Sequence, residues 1–133
     1  MHRLHYLLGL LGIASLAGCG GSDINQPSGP NLSGNGISIV LGAQTKGTAA
    51  FSPNPLTLSL ATSGVVRWSN DDQGGGAYGS GGVTHNITAD DGSFSSGNLA
   101  PGSTYEATFG VAGTYGYHCS IHPTMTGTVI VTP

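Results

Sequence analysis

The sequence predicts an all-β protein folded as a Greek-key antiparallel β-sandwich of about eight strands. Three observations favour this fold class. Apolar β-forming residues occur in short runs, Gly, Pro, Asn and Ser separate these runs, and no stretch repeats apolar residues at the helical period. Residues 37–133 are enough for one domain with a single core.

The first 18 residues have the pattern of an export signal. Arg3 precedes an apolar stretch at 6–17 that is too short to span a bilayer of about 30 Å as a helix. The tetrapeptide LAGC at 16–19 resembles the lipobox of bacterial lipoproteins, which implies cleavage before Cys19 and lipid attachment to it. This predicts an exported protein, lipid-anchored in the bacterial cell envelope on its periplasmic or surface side. An ordinary secretory signal with an accidental cysteine is the alternative.

A tether follows the signal. Residues 20–36 are rich in Gly, Ser, Asn and Pro and contain almost nothing to bury, which predicts a flexible segment. The lipidated Cys19 and this tether occupy 19–36, and the folded domain occupies 37–133. Because lipid takes one of the two cysteines, no disulfide is predicted for Cys119.

Within the domain, eight short runs have the composition of strands. They lie at 37–41, 49–51, 56–60, 65–68, 85–88, 105–109, 113–119 and 127–131. The runs at 56–60 and 105–109 alternate apolar with polar residues, as strands with one buried face do. The glycine-rich segment 71–82 is predicted to be a surface loop, and a partner contact through Tyr78 is the alternative.

The charge of the chain excludes one class of partner. Three basic and six acidic residues give a formal net charge of −3, and no basic patch exists to bind nucleic acid. The acidic residues are scattered among turns, so docking is predicted through an apolar surface around His122, with Pro123 and Pro101 nearby.

Near the C-terminus, a thiol, an imidazole and a thioether recur at three-residue intervals as Cys119, His122 and Met125. Thiolate and imidazole bind copper strongly, and a thioether is a soft, weak ligand. A trigonal set of two His and one Cys, with a long axial Met, is typical of electron-transfer copper centres. The spacing therefore predicts one copper ion per domain, and it requires a second imidazole from elsewhere.

The second imidazole is predicted to be that of His85. His2 and His5 lie in the leader, which leaves His85 and His118. On a strand, adjacent side chains point to opposite faces, so His118 should point away from the metal that Cys119 binds. His118 is therefore the poorer candidate.

The segment 115–131 resembles the ligand loop and final strand of the cupredoxins, the small blue copper proteins. Its sequence, YGYHCSIHPTM followed after one residue by GTVIV, is similar to the short-loop amicyanin type, since plastocyanin-like members have a longer His-to-Met interval. The resemblance covers about 37–132 and implies the copper ligands His85, Cys119, His122 and Met125. It also implies that Asn86 braces the site by bridging the His85 strand to the ligand loop, where a simple turn former is the alternative.

These features predict a one-electron carrier and not an enzyme, because protein donors occupy every copper position and leave none for a substrate. The predicted partners are a redox protein donor and acceptor near a membrane, and the carrier is predicted to be a monomer. Two alternative functions remain for the same residues. One is a copper storage or delivery lipoprotein, and the other is a metal-free structural or adhesive sandwich. Zinc is a weaker choice of metal because a thioether binds it poorly.

Overall fold

The computed structural model describes residues 34–74 and 81–133. Within these ranges the chain forms nine strands and two short 3-10 turns, and none of its helices is long and apolar enough to cross a bilayer. The turns are Ala43–Thr45 and Gly47–Ala50. The strands are β1 (Gly36–Ile39), β2 (Phe51–Ser52), β3 (Leu56–Ser59), β4 (Val65–Asn70), β5 (His85–Ala89), β6 (Ser95–Leu99), β7 (Thr104–Thr108), β8 (Gly113–Cys119) and β9 (His122–Thr132). The predicted leader, Cys19, most of the tether, and Tyr78 lie outside the described residues.

The strands form two sheets with a shared apolar core, which confirms the predicted β-sandwich. One sheet has the order β2-β1-β4-β7, and the other has the order β3-β9-β8-β5-β6. The predicted antiparallel arrangement holds for most neighbours, but β1 pairs with β4 and β3 pairs with β9 in parallel. The alternation of apolar residues defines the buried face of a strand and carries no information on its neighbour's direction. The two parallel pairs were therefore not predicted.

The core lies between the sheets and centres on Trp68, which is fully buried. Its ring centroid lies 5.5 Å from that of Tyr117 on the opposite sheet, 5.7 Å from Phe94 and 5.8 Å from Tyr105. Aromatic rings at these separations make favourable tilted and edge-on contacts in addition to the area they bury. The sheets are thus held together directly beneath β8, the strand that carries Cys119.

Eight of the nine strands overlap predicted runs, and the differences are local. Residues 49–50 belong to a 3-10 turn and not to a strand, and β9 begins at His122, earlier than the predicted 127. The strand β6 was not predicted because its sequence, SSGNL, buries only Leu99 and lacks apolar alternation. The described parts of the 71–82 segment also differ from a plain surface loop, since Asp72 is only 2% exposed.

Candidate metal centre

Three side chains that the sequence analysis singled out converge at one end of the second sheet. The Nδ1 atoms of His85 and His122 lie 3.2 Å apart, and the Sγ atom of Cys119 lies 3.9 Å from the first and 3.7 Å from the second. His85 and Cys119 are fully buried, and His122 is partly buried. Among the described residues, these three form the only cluster of His, Cys, Asp or Glu side chains with metal-binding geometry.

The size of this triangle fits a metal ion. A circle through the three donor atoms has a radius of about 2.1 Å, which matches the bonds of about 2.0 to 2.3 Å that imidazole and thiolate ligands make to a divalent metal. These three residues would therefore hold one ion between them. Two nitrogens and one sulfur in a trigonal arrangement are the donor set of an electron-transfer copper centre.

The strand pairing of the second sheet positions two of the donors. Cys119 ends β8, His122 begins β9, and the two residues pair with each other across a hairpin whose tip is Ser120 and Ile121. The register shifts between His118 and Cys119, which locally interrupts the regular ladder just before the thiol. The hairpin therefore holds the sulfur and one imidazole side by side.

Met125 lies on β9 and is fully buried. From Met125 onward, the odd-numbered residues of β9 face the core, and Gly127, Val129 and Val131 are its neighbours on that face. Its thioether therefore belongs to the buried side of the strand that His122 begins. A single soft sulfur three residues from His122 is the type of donor that a long axial copper bond uses.

Asn86 ties the strand of His85 to the hairpin. Its Nδ2 donates to the Oγ of Ser120 at 2.8 Å, and its Oδ1 accepts from the backbone N–H of Ser120 at 2.7 Å. The backbone N–H of Asn86 also donates to the Sγ of Cys119 at 3.4 Å. These contacts join β5 to the hairpin tip and supply the thiol sulfur with a hydrogen bond.

The sequence analysis missed one side chain of the site, Asp72. Its Oδ2 lies 3.0 Å from the Nε2 of His85, on the side of the ring opposite to the cluster. Asp72 stands in a glycine-rich segment whose composition is typical of an exposed loop, so no sequence signal distinguished it from the five other acidic residues. Only the fold reveals that this carboxylate is buried against a candidate ligand.

The surroundings of His122 favour the neutral form of its imidazole, which is the form that binds a metal. Burial and, secondarily, the neighbouring His85 hold the pKa of His122 below its ordinary value of 6.5, and the attraction of Asp72 offsets only part of this effect. Because a metal binds the unprotonated ring, a lowered pKa keeps this donor available at neutral pH.

His118 lies outside the cluster, on the other face of β8. Its Nδ1 is 2.7 Å from the Oδ1 of Asp90, and both side chains are exposed to solvent in part. The opposite orientations of His118 and Cys119 follow from the alternation of side chains along the strand.

A two-sheet β-sandwich that holds one thiol and two imidazoles at one end defines a class of protein, the cupredoxins. A family model described as "Copper binding proteins, plastocyanin/azurin family" matches residues 38–132. The chain belongs to this plastocyanin/azurin family. Copper, the predicted cofactor, is confirmed by the family, and the donors at this site fit a single type 1 copper ion.

Individual relatives agree with this assignment. The chain is 32% identical to the plastocyanin of Scenedesmus fuscus over 71% of its own length and 98% of that protein. A purple cupredoxin from Nitrosopumilus maritimus superposes with a TM-score of 0.60 at 31% identity, covering 74% of this chain and 99% of the other. A mutant of amicyanin in its reduced Cu(I) form superposes with a TM-score of 0.53 at 22% identity, covering 74% and 82% of the two chains, and shows the shared fold alone.

Proposed function

We propose that this protein is a one-electron carrier whose single copper ion is bound by His85, Cys119, His122 and Met125. Copper held by these residues would supply the one-electron Cu(II)/Cu(I) chemistry that a carrier needs to accept an electron from a donor protein and pass it to an acceptor. A trigonal site with a weak fourth ligand is tolerable to both oxidation states, which limits rearrangement when the electron moves. The residues of the chain hold the metal and shield it, and none of them reacts.

The triangle of donor atoms carries this proposal. Its sides of 3.2, 3.7 and 3.9 Å already have the size that a trigonal metal needs. The strands and the Asn86–Ser120 hydrogen bonds support this geometry. A site held in place by the fold suits electron transfer, because less of the structure has to reorganise when the charge of the metal changes.

Titration with Cu(II) tests the ligand set. The wild-type domain should develop intense visible absorption from thiolate-to-copper charge transfer, with one copper per chain. Cys119→Ser should abolish this band, and His85→Ala should weaken copper binding strongly. His118→Ala is the matched control, since this imidazole faces Asp90, and it should leave the band unchanged. A band that survives Cys119→Ser, or that depends on His118 and not on His85, would overturn the assignment.

A second measurement separates an electron carrier from a copper storage or delivery protein. A carrier should show reversible voltammetry and keep its copper against a competing chelator in both oxidation states. A delivery protein should release Cu(I) readily under the same conditions. The full burial of His85 and Cys119 favours retention, because an exchanging ligand has little access to the ion.

The apolar surface beside His122 is the proposed docking site for the redox partners. Ile121 at the tip of the hairpin is 48% exposed, and Pro123 on the other side of His122 is exposed as well. Small apolar surfaces of this kind are typical of short-lived electron-transfer encounters. His122 lies between these two residues and would bring the copper closest to a partner seated there.

We also propose that the carrier is exported and anchored to a membrane of the bacterial cell envelope through lipid on Cys19, and that it acts as a monomer. The support for the anchor is the LAGC tetrapeptide at 16–19 behind a short apolar segment. On this proposal the redox partners lie at or near the same membrane surface.

A further inference from the structure

A buried carboxylate lies directly behind the ligand His85. The Oδ2 of Asp72 is 3.0 Å from the Nε2 of the ring, and the side chains of His85 and Asp72 are 0% and 3% exposed. The Nδ1 of the same ring faces Cys119 and His122. The imidazole of His85 therefore lies between the Asp72 carboxylate and the proposed copper position.

Two backbone groups donate hydrogen bonds to this carboxylate, and such bonds favour its charged form. The N–H of Gly42 donates to Oδ1 at 2.9 Å, and the N–H of Ala43 donates to Oδ2 at 3.2 Å. Gly42 adopts φ = 70°, a left-handed conformation that suits glycine.

An ionised carboxylate accepts hydrogen bonds and has none to donate. The proton between Asp72 and His85 therefore belongs to the Nε2 of the imidazole. Whenever the ring is neutral, a proton on Nε2 leaves the lone pair on Nδ1, and this is the atom that faces Cys119 and His122. Asp72 thus favours the tautomer of His85 in which Nδ1 is free to bind a metal.

Asp72 is itself fixed by a buried amide. Its backbone N–H donates to the Oδ1 of Asn70 at 3.1 Å, and the Nδ2 of Asn70 donates to the carbonyls of Val83 at 2.8 Å and Leu99 at 2.9 Å. The carbonyl of Asp72 accepts from the N–H of Val83 at 2.9 Å. The carboxylate therefore has little freedom to move away from the ring.

We propose that Asp72 is a positioning residue of the copper centre, which fixes the tautomer and orientation of His85 and lowers the reduction potential of the metal through its buried negative charge. A carboxylate behind a ligating histidine makes the ring a stronger donor, and this favours Cu(II) over Cu(I). Because solvent screens a buried charge weakly, the effect should persist at physiological ionic strength. The inference rests on the proposed function, since it requires copper at His85.

Asp72→Asn tests the inference, with Asp71→Asn as the matched control. Asparagine keeps the size of the side chain and removes the charge. Asp71 carries the same charge one residue away, but its carboxylate accepts from the hydroxyls of Ser38 and Ser69 and does not contact His85. Asp72→Asn should weaken Cu(II) binding about 10- to 100-fold, the usual effect of removing such a partner. It should also raise the reduction potential in voltammetry, whereas Asp71→Asn should change both quantities much less.

Nuclear magnetic resonance of the copper-free wild type supplies an independent readout. The nitrogen shifts of His85 should report a proton on Nε2 and none on Nδ1. A proton found on Nδ1 would overturn the inference even if Asp72→Asn fails to fold. Equal potentials and affinities in the Asp72→Asn and Asp71→Asn proteins would also overturn it and would leave the proposed function intact. A wild type that binds no copper would overturn the proposed function itself.

Discussion

At the scale of single residues, the proposed copper ligands differ in what each contributes. His85 and Cys119 are fully buried and supply two of the three strong donors, while His122 is the donor that reaches toward the surface. Met125 would supply only a weak thioether bond, so the trigonal set should provide most of the affinity. Substitution of Met125 should therefore change the potential of the site more than its occupancy.

Met125→Gln tests this division of roles. The amide oxygen is a harder donor than the thioether, so it should favour Cu(II) and lower the reduction potential while copper remains bound. Voltammetry and a copper titration measure the two effects. An unchanged or raised potential would contradict an axial role for Met125.

Tyr117 shows how one buried hydroxyl affects stability. Its ring packs between the sheets, and neither its hydroxyl nor the Nε1 of Trp68 has a hydrogen-bond partner among the described residues. Burial raises the pKa of Tyr117 above its ordinary value of 10, and the nearby Trp68 offsets only a small part of the shift. The folded protein therefore keeps this proton at alkaline pH, where the unfolded chain loses it. The stability that depends on this proton is complete below pH 10 and declines as pH rises above it.

Tyr117→Phe should remove both the unpaired buried hydroxyl and the loss of stability that its ionisation causes above pH 10. Loss of an unpaired buried hydroxyl should leave the free energy of unfolding of the copper-free protein at pH 7 unchanged or raise it by about 1 kcal/mol, and should reduce its decline above pH 10. Denaturant unfolding at several pH values measures both quantities. Tyr115→Phe is the control, since the hydroxyl of Tyr115 donates to the carbonyl of Val111 at 2.8 Å, and its loss should destabilise the protein by about 1 kcal/mol. A larger loss in Tyr117→Phe than in Tyr115→Phe would contradict this account.

At the scale of secondary structure elements, the proposed copper site is built from the hairpin between β8 and β9 and from the neighbouring strand β5. The hairpin aligns Cys119 with His122, while β5 brings in His85. These two units are joined at the site by the side chain of Asn86, which makes two hydrogen bonds to Ser120. The geometry of the donor triangle therefore depends on this amide as well as on the pairing of β5 with β8.

Asn86→Ala should loosen that connection. Loss of the two bonds should destabilise the copper-free protein by about 1 to 3 kcal/mol, and it should weaken copper binding as well. Asn54→Ala is the control because Asn54 also joins separate segments, through the carbonyls of Thr48 and Thr126 and the N–H of Thr128, without contact to the site. The control should lose stability and retain its copper affinity and visible band. If both variants bind copper equally well, Asn86 has no role in the site beyond folding.

The arrangement of the strands also explains which parts of the site and the fold could be predicted from the sequence. Cys119, His122 and Met125 were identifiable because local spacing places them on one hairpin and the start of one strand, and His85 followed because few histidines were available. Asp72 was not identifiable, since its position against His85 arises from the packing of a loop that composition assigns to the surface. The sandwich was predicted from alternation in strands such as β3, but the parallel direction of β3 beside β9 depends on the path of the intervening chain between the sheets.

At the scale of the whole molecule, the proposed anchor limits where the carrier works. The tether at 20–36 would have a root-mean-square span of about 20 to 25 Å if it behaves as a flexible chain. The copper site would then stay within a short distance of the membrane surface. More than one acyl chain on Cys19 would make the attachment stable, whereas a single chain is marginal.

Cys19→Ser, expressed behind a secretory signal, tests the anchor. The variant should fractionate as a soluble protein, keep the copper spectrum of the wild type, and exchange electrons with membrane-bound partners more slowly at an equal copy number. The wild type serves as the reference in the same fractionation. Recovery of the wild type entirely in the soluble fraction, with an unmodified cysteine, would contradict the anchor.

The strand β6, which buries only Leu99, affects how copies of this protein contact one another. It lies at the outer edge of its sheet, and an exposed edge strand offers unpaired backbone groups that invite another chain to aggregate with it. Here the edge is short and polar, Gly97 adopts φ = 63°, and the N–H of Ile87 bonds to the Ser96 hydroxyl instead of a backbone carbonyl. Such an irregular edge is a poor template for strand addition. On the proposed anchor, tethered copies would meet often at the membrane surface, and this edge would keep each copy separate and free to exchange one partner for the next.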